Sequence, residues 1–97
     1  MAISILVELP AKPESIDDLK EYLKAMLPVT REFPGCQQML VVQEQGVPER
    51  FVIIERWESK DDHLKYLAWR AERNEIAPAY EWMTSDPVMQ YFDDTNV

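Results

Sequence analysis

The strand-like segments of this chain are apolar on both parities, and that restricts the folds open to it more than any other feature. Ile3 to Leu9 is rich in β-branched residues and ends at Pro10, as a strand does. It places Ile3, Ile5, Val7 and Leu9 on one face and Leu6 on the other. Phe51 to Glu58 repeats the pattern, with Phe51, Ile53 and Trp57 on one side and Val52 and Ile54 opposite. Between them, Cys36 to Glu44 is centred on Met39-Leu40-Val41-Val42 and is apolar on both sides. Successive side chains of a strand point to opposite faces, so these segments build a sheet with two apolar faces. A sheet with one face in water would alternate cleanly, and this one does not.

Two helical regions are available to cover that sheet. In the first, Ile16, Leu19, Leu23, Met26 and Leu27 recur at helical spacing, with Asp17, Lys20, Glu21 and Lys24 on the other side. Ser15 stands three residues before Asp18 and reads as its N-cap. Pro28 is expected to kink or interrupt this helix, and Pro34-Gly35 to stop it. The second region runs from about Lys60 to Met83, behind an N-cap at Ser59, and is expected to break near Asn74 or Pro78. Gly46-Val47-Pro48 makes the turn of an antiparallel hairpin, and Val88 to Phe92 reads as a last short strand.

The order is therefore β-α-β-β-α-β, the split βαβ or ferredoxin-like α+β arrangement, in which two helices cover one face of a four-stranded antiparallel sheet. The second apolar face still needs a cover. The simplest is another copy of the chain around a two-fold axis, so a homodimer is expected. With 97 residues, one domain spanning 1–97 is expected, with a core over about residues 3–92 and a short acidic tail.

Charge and composition exclude several partners. A net charge of −8 argues against nucleic acid, whose phosphates need clustered Lys and Arg, and against an anionic membrane surface. Cys36 is the only cysteine, which rules out an internal disulfide. Neither a signal peptide nor a membrane span is legible, and a cytoplasmic location is the expectation. Two glycines and one histidine leave no credible phosphate loop and no multi-histidine metal site, so no cofactor is expected.

Several linked segments, Lys12-Pro13, Leu27-Pro28-x-Thr30-Arg31, Pro34-Gly35-Cys36 and Glu55-Arg56-Trp57-Glu58-Ser59, stand in one order along the chain. In that order the chain resembles the antibiotic biosynthesis monooxygenase family over nearly its whole length. The resemblance implies a dimeric α+β barrel with a pocket between each sheet and its helices. It implies chemistry without metal or flavin, in which a phenolic or quinol substrate is deprotonated and its anion reacts directly with oxygen. The haem-degrading branch carries an Asn on the first strand, a Trp in the second helix and a His beyond it. The aligned positions here are Leu6, Tyr66 and Ile76, and none matches.

Candidate site residues concentrate on the second helix. His63 is the one side chain whose ordinary pKa lies near neutrality, and it is the candidate base, against a plain packing role. Arg70 is the candidate partner of an anionic oxygen, against a surface ion pair. At about 100° per residue, Leu64, Leu67, Ala68 and Ala71 share the arc expected to face the core. Tyr66, Trp69 and Arg73 fall on the far side, where two aromatics suggest either packing or contact with a small apolar or aromatic ligand. Trp57 and Trp82 are candidate pocket walls, with Met83 and Met89 as adaptable apolar lining. Cys36 reads as a small buried hydrophobe rather than a nucleophile. Two functions remain open at this point: a cofactor-independent monooxygenase, and a dimeric small-ligand-binding or stress-associated module without turnover.

Overall fold

The computed structural model describes residues 2–97. The chain runs β1 (Ile3–Pro10), α1 (Ile16–Arg31), β2 (Cys36–Glu44), β3 (Val47–Trp57), α2 (Lys60–Glu72) and β4 (Val88–Asp93), with 3-10 turns at Pro13–Ser15 and Ala77–Trp82. The four strands form one sheet in the order β2-β3-β1-β4, each pair antiparallel. This is the ferredoxin-like α+β arrangement expected from the order of elements. Among the described residues no helix is long and apolar enough to cross a membrane.

Strand parity decides the core. Ile3, Ile5, Val7 and Leu9 of β1 and Phe51, Ile53, Glu55 and Trp57 of β3 are buried on the helix-covered face. Leu19 and Leu23 of α1 pack onto them, with Met26 and Leu27 partly buried beside. The opposite face carries no helix. On it, Leu40, Ile54 and Leu6 lie in one cross-strand row, and Val42 and Val52 lie in the next, beside Glu8 and Val88. Leu40 is 43% exposed and Val88 51%. The second apolar face thus exists as the alternation implied.

Local signals hold with three exceptions. Pro28 sits inside α1 without ending it. The bond it deletes would run to the carbonyl of Lys24, and both residues are exposed, so water can satisfy that carbonyl. Ser15 makes no capping hydrogen bond, because the Pro13–Ser15 turn leads into α1 and buries that side chain. The β2–β3 turn is tighter than expected: Glu44 already pairs with Val47 around a Gln45-Gly46 tip, with Gly46 at φ 80°. Ser59 does cap α2, accepting from the Asp62 amide at 3.2 Å.

The largest correction concerns α2. Its buried side chains are His63, Tyr66 and Arg70, whereas Leu64, Ala68 and Ala71 are exposed and Leu67 is only partly buried. The arc of leucines and alanines is therefore not the core face. Tyr66 points inward, where its hydroxyl lies 2.5 Å from Thr30 Oγ1 of α1. Burial of a polar face is tolerable because each group on it finds a partner, and no buried side-chain nitrogen or oxygen among the described residues lacks one. The second helical region does break near Asn74, as expected: that residue, at φ 54°, follows the end of α2, and the chain re-forms as the 3-10 turn Ala77–Trp82, just short of Met83.

Trp57 is the centre of this packing. It is fully buried, with its ring 5.1 Å from Tyr66, 5.3 Å from His63 and 6.3 Å from Phe33. Its indole donates to Glu55 Oε1 at 2.8 Å. Trp57→Ala is expected to cost about 3–5 kcal/mol, the usual loss for a buried aromatic, and to leave Glu55 without its donor. Urea denaturation checks this. A loss under about 1 kcal/mol, the size of an exposed substitution, would show that Trp57 does not hold the helices to the sheet.

Candidate active site

A cavity of about 610 Å³ lies between the sheet and the helices. Its walls are mostly apolar: Val7, Leu9 and Ile53 from the sheet, Leu19, Leu23 and Met26 from α1, and Ile76, Met83 and Met89 from the C-terminal third. Polar groups enter at few points. Glu55 comes from β3, His63, Tyr66 and Arg70 from α2, Tyr22 from α1, and Tyr80 and Asp86 from the chain between α2 and β4. An apolar chamber of this size with a few convergent polar groups has the usual make-up of a small-molecule site.

Glu55 and His63 form the most unusual pair. Glu55 is 4% exposed and His63 1%, with His63 Nε2 3.6 Å from Glu55 Oε1. Burial drives both toward their neutral forms. It raises the Glu55 carboxyl to about 7, although the Trp57 indole opposes the rise, and it lowers the His63 imidazole to about 4. Between those values the two groups face each other uncharged, so their closeness is not an ion pair. On its other side the imidazole places Nδ1 2.9 Å from the Tyr91 hydroxyl of β4.

Arg70 supplies the cavity's cation. It is 3% exposed and donates to the Tyr22 hydroxyl at 2.6 Å and the Glu75 carbonyl at 3.2 Å. Its guanidinium also lies 3.5 Å from the Glu75 carboxylate. The Tyr22 hydroxyl in turn donates to the Glu75 carbonyl at 2.5 Å. Burial raises the Tyr22 phenol, and the adjacent guanidinium acts against the rise. The Tyr66 phenol is pushed up to about 12 by burial, so its hydroxyl, held at Thr30, is neutral.

The structure sorts the candidates read from the sequence into two groups. His63, Tyr66 and Arg70 line the cavity together. Trp57 lies behind its wall, touching His63 and Tyr66. Trp69 packs on Phe33 at 5.3 Å and lies under the Arg73 guanidinium at 4.5 Å, while Arg73 is exposed and paired with Glu75. Trp82 stacks edge-on against Tyr22 at 5.7 Å and does not line the cavity, although Met83 and Met89 do. Sequence reasoning missed Glu55, Tyr22 and Tyr91. A signal for Glu55 existed, because it shares the inward parity of Phe51, Ile53 and Trp57, where a lone carboxylate is anomalous.

Comparison with solved structures places this fold among known ones. A conserved protein from Methanosarcina mazei Go1 superposes with a TM-score of 0.90 at 18% identity, over 98% of this chain and 94% of its own. A Deinococcus radiodurans protein provisionally assigned as an antibiotic biosynthesis monooxygenase gives 0.84 at 24% identity, over 97% and 92%. A variant of SnoaB, a cofactor-independent oxygenase from Streptomyces nogalater, gives 0.83 at 12% identity, over 97% and 93%. No curated protein matches in sequence. The family model described as antibiotic biosynthesis monooxygenase matches residues 2–72, from β1 through α2. The chain belongs to the antibiotic biosynthesis monooxygenase family.

Proposed function

We propose that this protein is a monooxygenase that oxidises a small aromatic, quinol-like substrate with molecular oxygen, without metal or flavin, and that it works as a homodimer closed into an α+β barrel. The observation that carries the reading is a largely apolar cavity holding a carboxyl and an imidazole, both kept neutral by burial, beside an arginine. The family and the cofactor-independent activity stated for the SnoaB structure support it.

The reaction needs no outside reductant. A quinol and dioxygen together contain the atoms of a hydroxyquinone and one water, and the substrate supplies all four electrons. What the protein must provide is a dry, oriented site and an acceptor for the phenolic proton. In this assignment the Glu55 carboxylate, with His63 against it, takes that proton. Arg70, held by the Tyr22 hydroxyl, stabilises the resulting anionic oxygen, and Tyr66 donates to a second oxygen. His63 and Arg70 are thus the acid–base and electrostatic residues proposed from the sequence, with Glu55 added. Trp57 serves as a support, and Trp69, Arg73 and Trp82 hold the helix and the 3-10 turn in place around the site.

The sign of the pH dependence follows. Glu55 accepts a proton only when ionised, and its carboxyl is raised to about 7 by burial. Oxygen consumption with an anthrone or naphthoquinol is expected to climb as pH rises through about 7 and then to level off. Glu55→Gln is expected to abolish that step and to lower turnover by about 10²-fold, the lower end of general-base catalysis. A Glu55→Gln variant with the native rate and pH profile would remove Glu55 from the mechanism.

The dimer rests on the open sheet face. Leu6, Leu40, Val42, Val52 and Ile54 form a contiguous apolar area there, flanked by Arg50–Glu8, Arg50–Glu44 and Arg56–Asp94 ion pairs. Burying roughly 800 Å² per chain is typical of a stable pair, and the apolar part of it drives association at about 25 cal/mol per Å². Ile54→Asp is expected to convert the dimer to monomer or aggregate in sedimentation velocity, while Arg73→Ala, away from that face, leaves it unchanged. A wild-type protein that sediments as a folded monomer at micromolar concentration would exclude the barrel.

A further inference from the structure

The Glu55–His63 pair has a continuation that leads out of the cavity. Met39 of β2, Glu55 of β3, Ile5 of β1 and Tyr91 of β4 lie in one row across the whole sheet, all on the helix-covered face. Strands are about 4.8 Å apart, so Glu55 and Tyr91, two strands from one another, are separated by roughly 10 Å and cannot touch directly. His63 descends from α2 over the fully buried Ile5 and reaches both: Nε2 lies 3.6 Å from Glu55 Oε1, and Nδ1 lies 2.9 Å from the Tyr91 hydroxyl. Tyr91 stands on the last strand of the sheet, half-buried, with the Lys60 ammonium 4.6 Å from its ring centre. Tyr91 also lies beyond the residues that the family model matches.

We propose that Glu55, His63 and Tyr91 form a proton path that connects the cavity to the outer edge of the sheet. The proposal rests on the assignment of Glu55 as the proton acceptor, and it adds the route by which the proton leaves. With substrate filling the cavity, Glu55 and His63, 4% and 1% exposed, have almost no surface left for exchange with bulk water, and a base that cannot unload its proton serves for one turnover only. The transfer conserves charge at each link. The protonated carboxyl gives its proton to Nε2, the imidazole gives the one on Nδ1 to the Tyr91 oxygen, and the phenolic hydrogen passes to water; a half-turn of the ring then returns its proton to the Tyr91 side for the next pass. The 3.6 Å gap is closed by a small rotation, as catalytic hydrogen bonds commonly tighten when a substrate binds. The phenol suits its position, because a hydroxyl both donates and accepts. Burial keeps the imidazole neutral, so it passes protons by exchanging tautomers rather than by storing charge.

The path predicts a tautomer switch. When Glu55 is protonated it donates to Nε2, and the ring proton sits on Nδ1, facing the Tyr91 oxygen. When Glu55 is ionised it accepts from Nε2–H, and Nδ1 accepts from the Tyr91 hydroxyl. The titratable and charged groups around the pair are Cys36 from β2, Tyr66 and Lys60 from α2, and Tyr91 from β4. The Cys36, Tyr66 and Tyr91 groups are all raised, with burial the largest cause of each and the Glu55 charge adding to it. These three therefore stay protonated through neutrality, and Glu55 is left to set the switch.

His63 is the only histidine, so protein labelled with ¹⁵N-histidine reports this one ring. The expected result is that the protonated and unprotonated nitrogens exchange identity as pH passes through about 7. Glu55→Gln should freeze one tautomer across the range. Tyr91→Phe, a conservative change that leaves the strand intact, should retain the switch. Above it, though, the Nδ1 signal should move to the position of a nitrogen that accepts no hydrogen bond. A single tautomer in the unmodified protein from pH 5.5 to 8.5, an imidazolium forming near 6.5, or an Nδ1 signal indifferent to Tyr91→Phe would each overturn the path. No substrate is needed for this readout. Failure to oxidise a probe such as 1,8-dihydroxyanthrone would therefore count against the monooxygenase assignment alone, while the ring nitrogens decide the path.

Discussion

The structure depends on a helix that buries its polar side. His63, Tyr66 and Arg70 recur along one face of α2 and are pressed against the sheet, where an unpaired polar group would cost one to several kcal/mol. Each is answered by a residue far away in sequence, Tyr66 by Thr30, Arg70 by Tyr22 and His63 by Tyr91, with Glu75 and Glu55 as nearer partners of Arg70 and His63. α1, β4 and the Glu75 loop are therefore held to α2 by directional bonds as well as by apolar packing. Such contacts fix one arrangement of the helices, because sliding α2 by a turn would strand all three groups together.

The same requirement shapes the cavity. Its apolar walls come from strand parity and from the leucines of α1, while its polar groups come almost entirely from the face of α2 and the partners that face demands. The result is an apolar chamber in which two polar groupings stand out. One is an acid–base pair on the sheet side, and the other is a cation with a phenol beside the Glu75 loop.

Much of the fold was legible because it rests on short-range rules. The alternation of Ile3, Ile5, Val7 and Leu9 fixed a strand and its inward face, and the Leu6, Val52 and Ile54 positions marked the uncovered side. The orientation of α2 was not legible from periodicity, which credits leucine and alanine with burial and discounts tyrosine, histidine and arginine. That weighting fails where polar groups are satisfied by residues 28 to 48 positions away, since nothing local announces the partner. The site was half visible for the same reason. His63, Tyr66 and Arg70 stood out by type, whereas Tyr22 and Tyr91 became part of it only through the packing of α1 and the pairing of β4. Trp69 and Trp82 went the other way, as large aromatics that hold neighbouring segments together.

The turn before β2 carries a consequence for how this cavity can diverge. Gly35 adopts φ +94°, and a Cβ there would fall 2.6 Å from Cβ of Asp62, one residue before His63. The Gly35 carbonyl also accepts from the Glu58 amide at 2.8 Å, so the turn grips the start of α2 from both sides. This end of the helix has no clearance, and the distance from His63 to the sheet is set there. The far end is different: α2 stops at Asn74, and the chamber is closed by Ile76, Met83 and Met89 on a short turn and an edge strand. Changes of substrate size should therefore accumulate at that end, leaving the acid–base pair unmoved. The chamber behaves as a vice with one fixed jaw and one adjustable jaw.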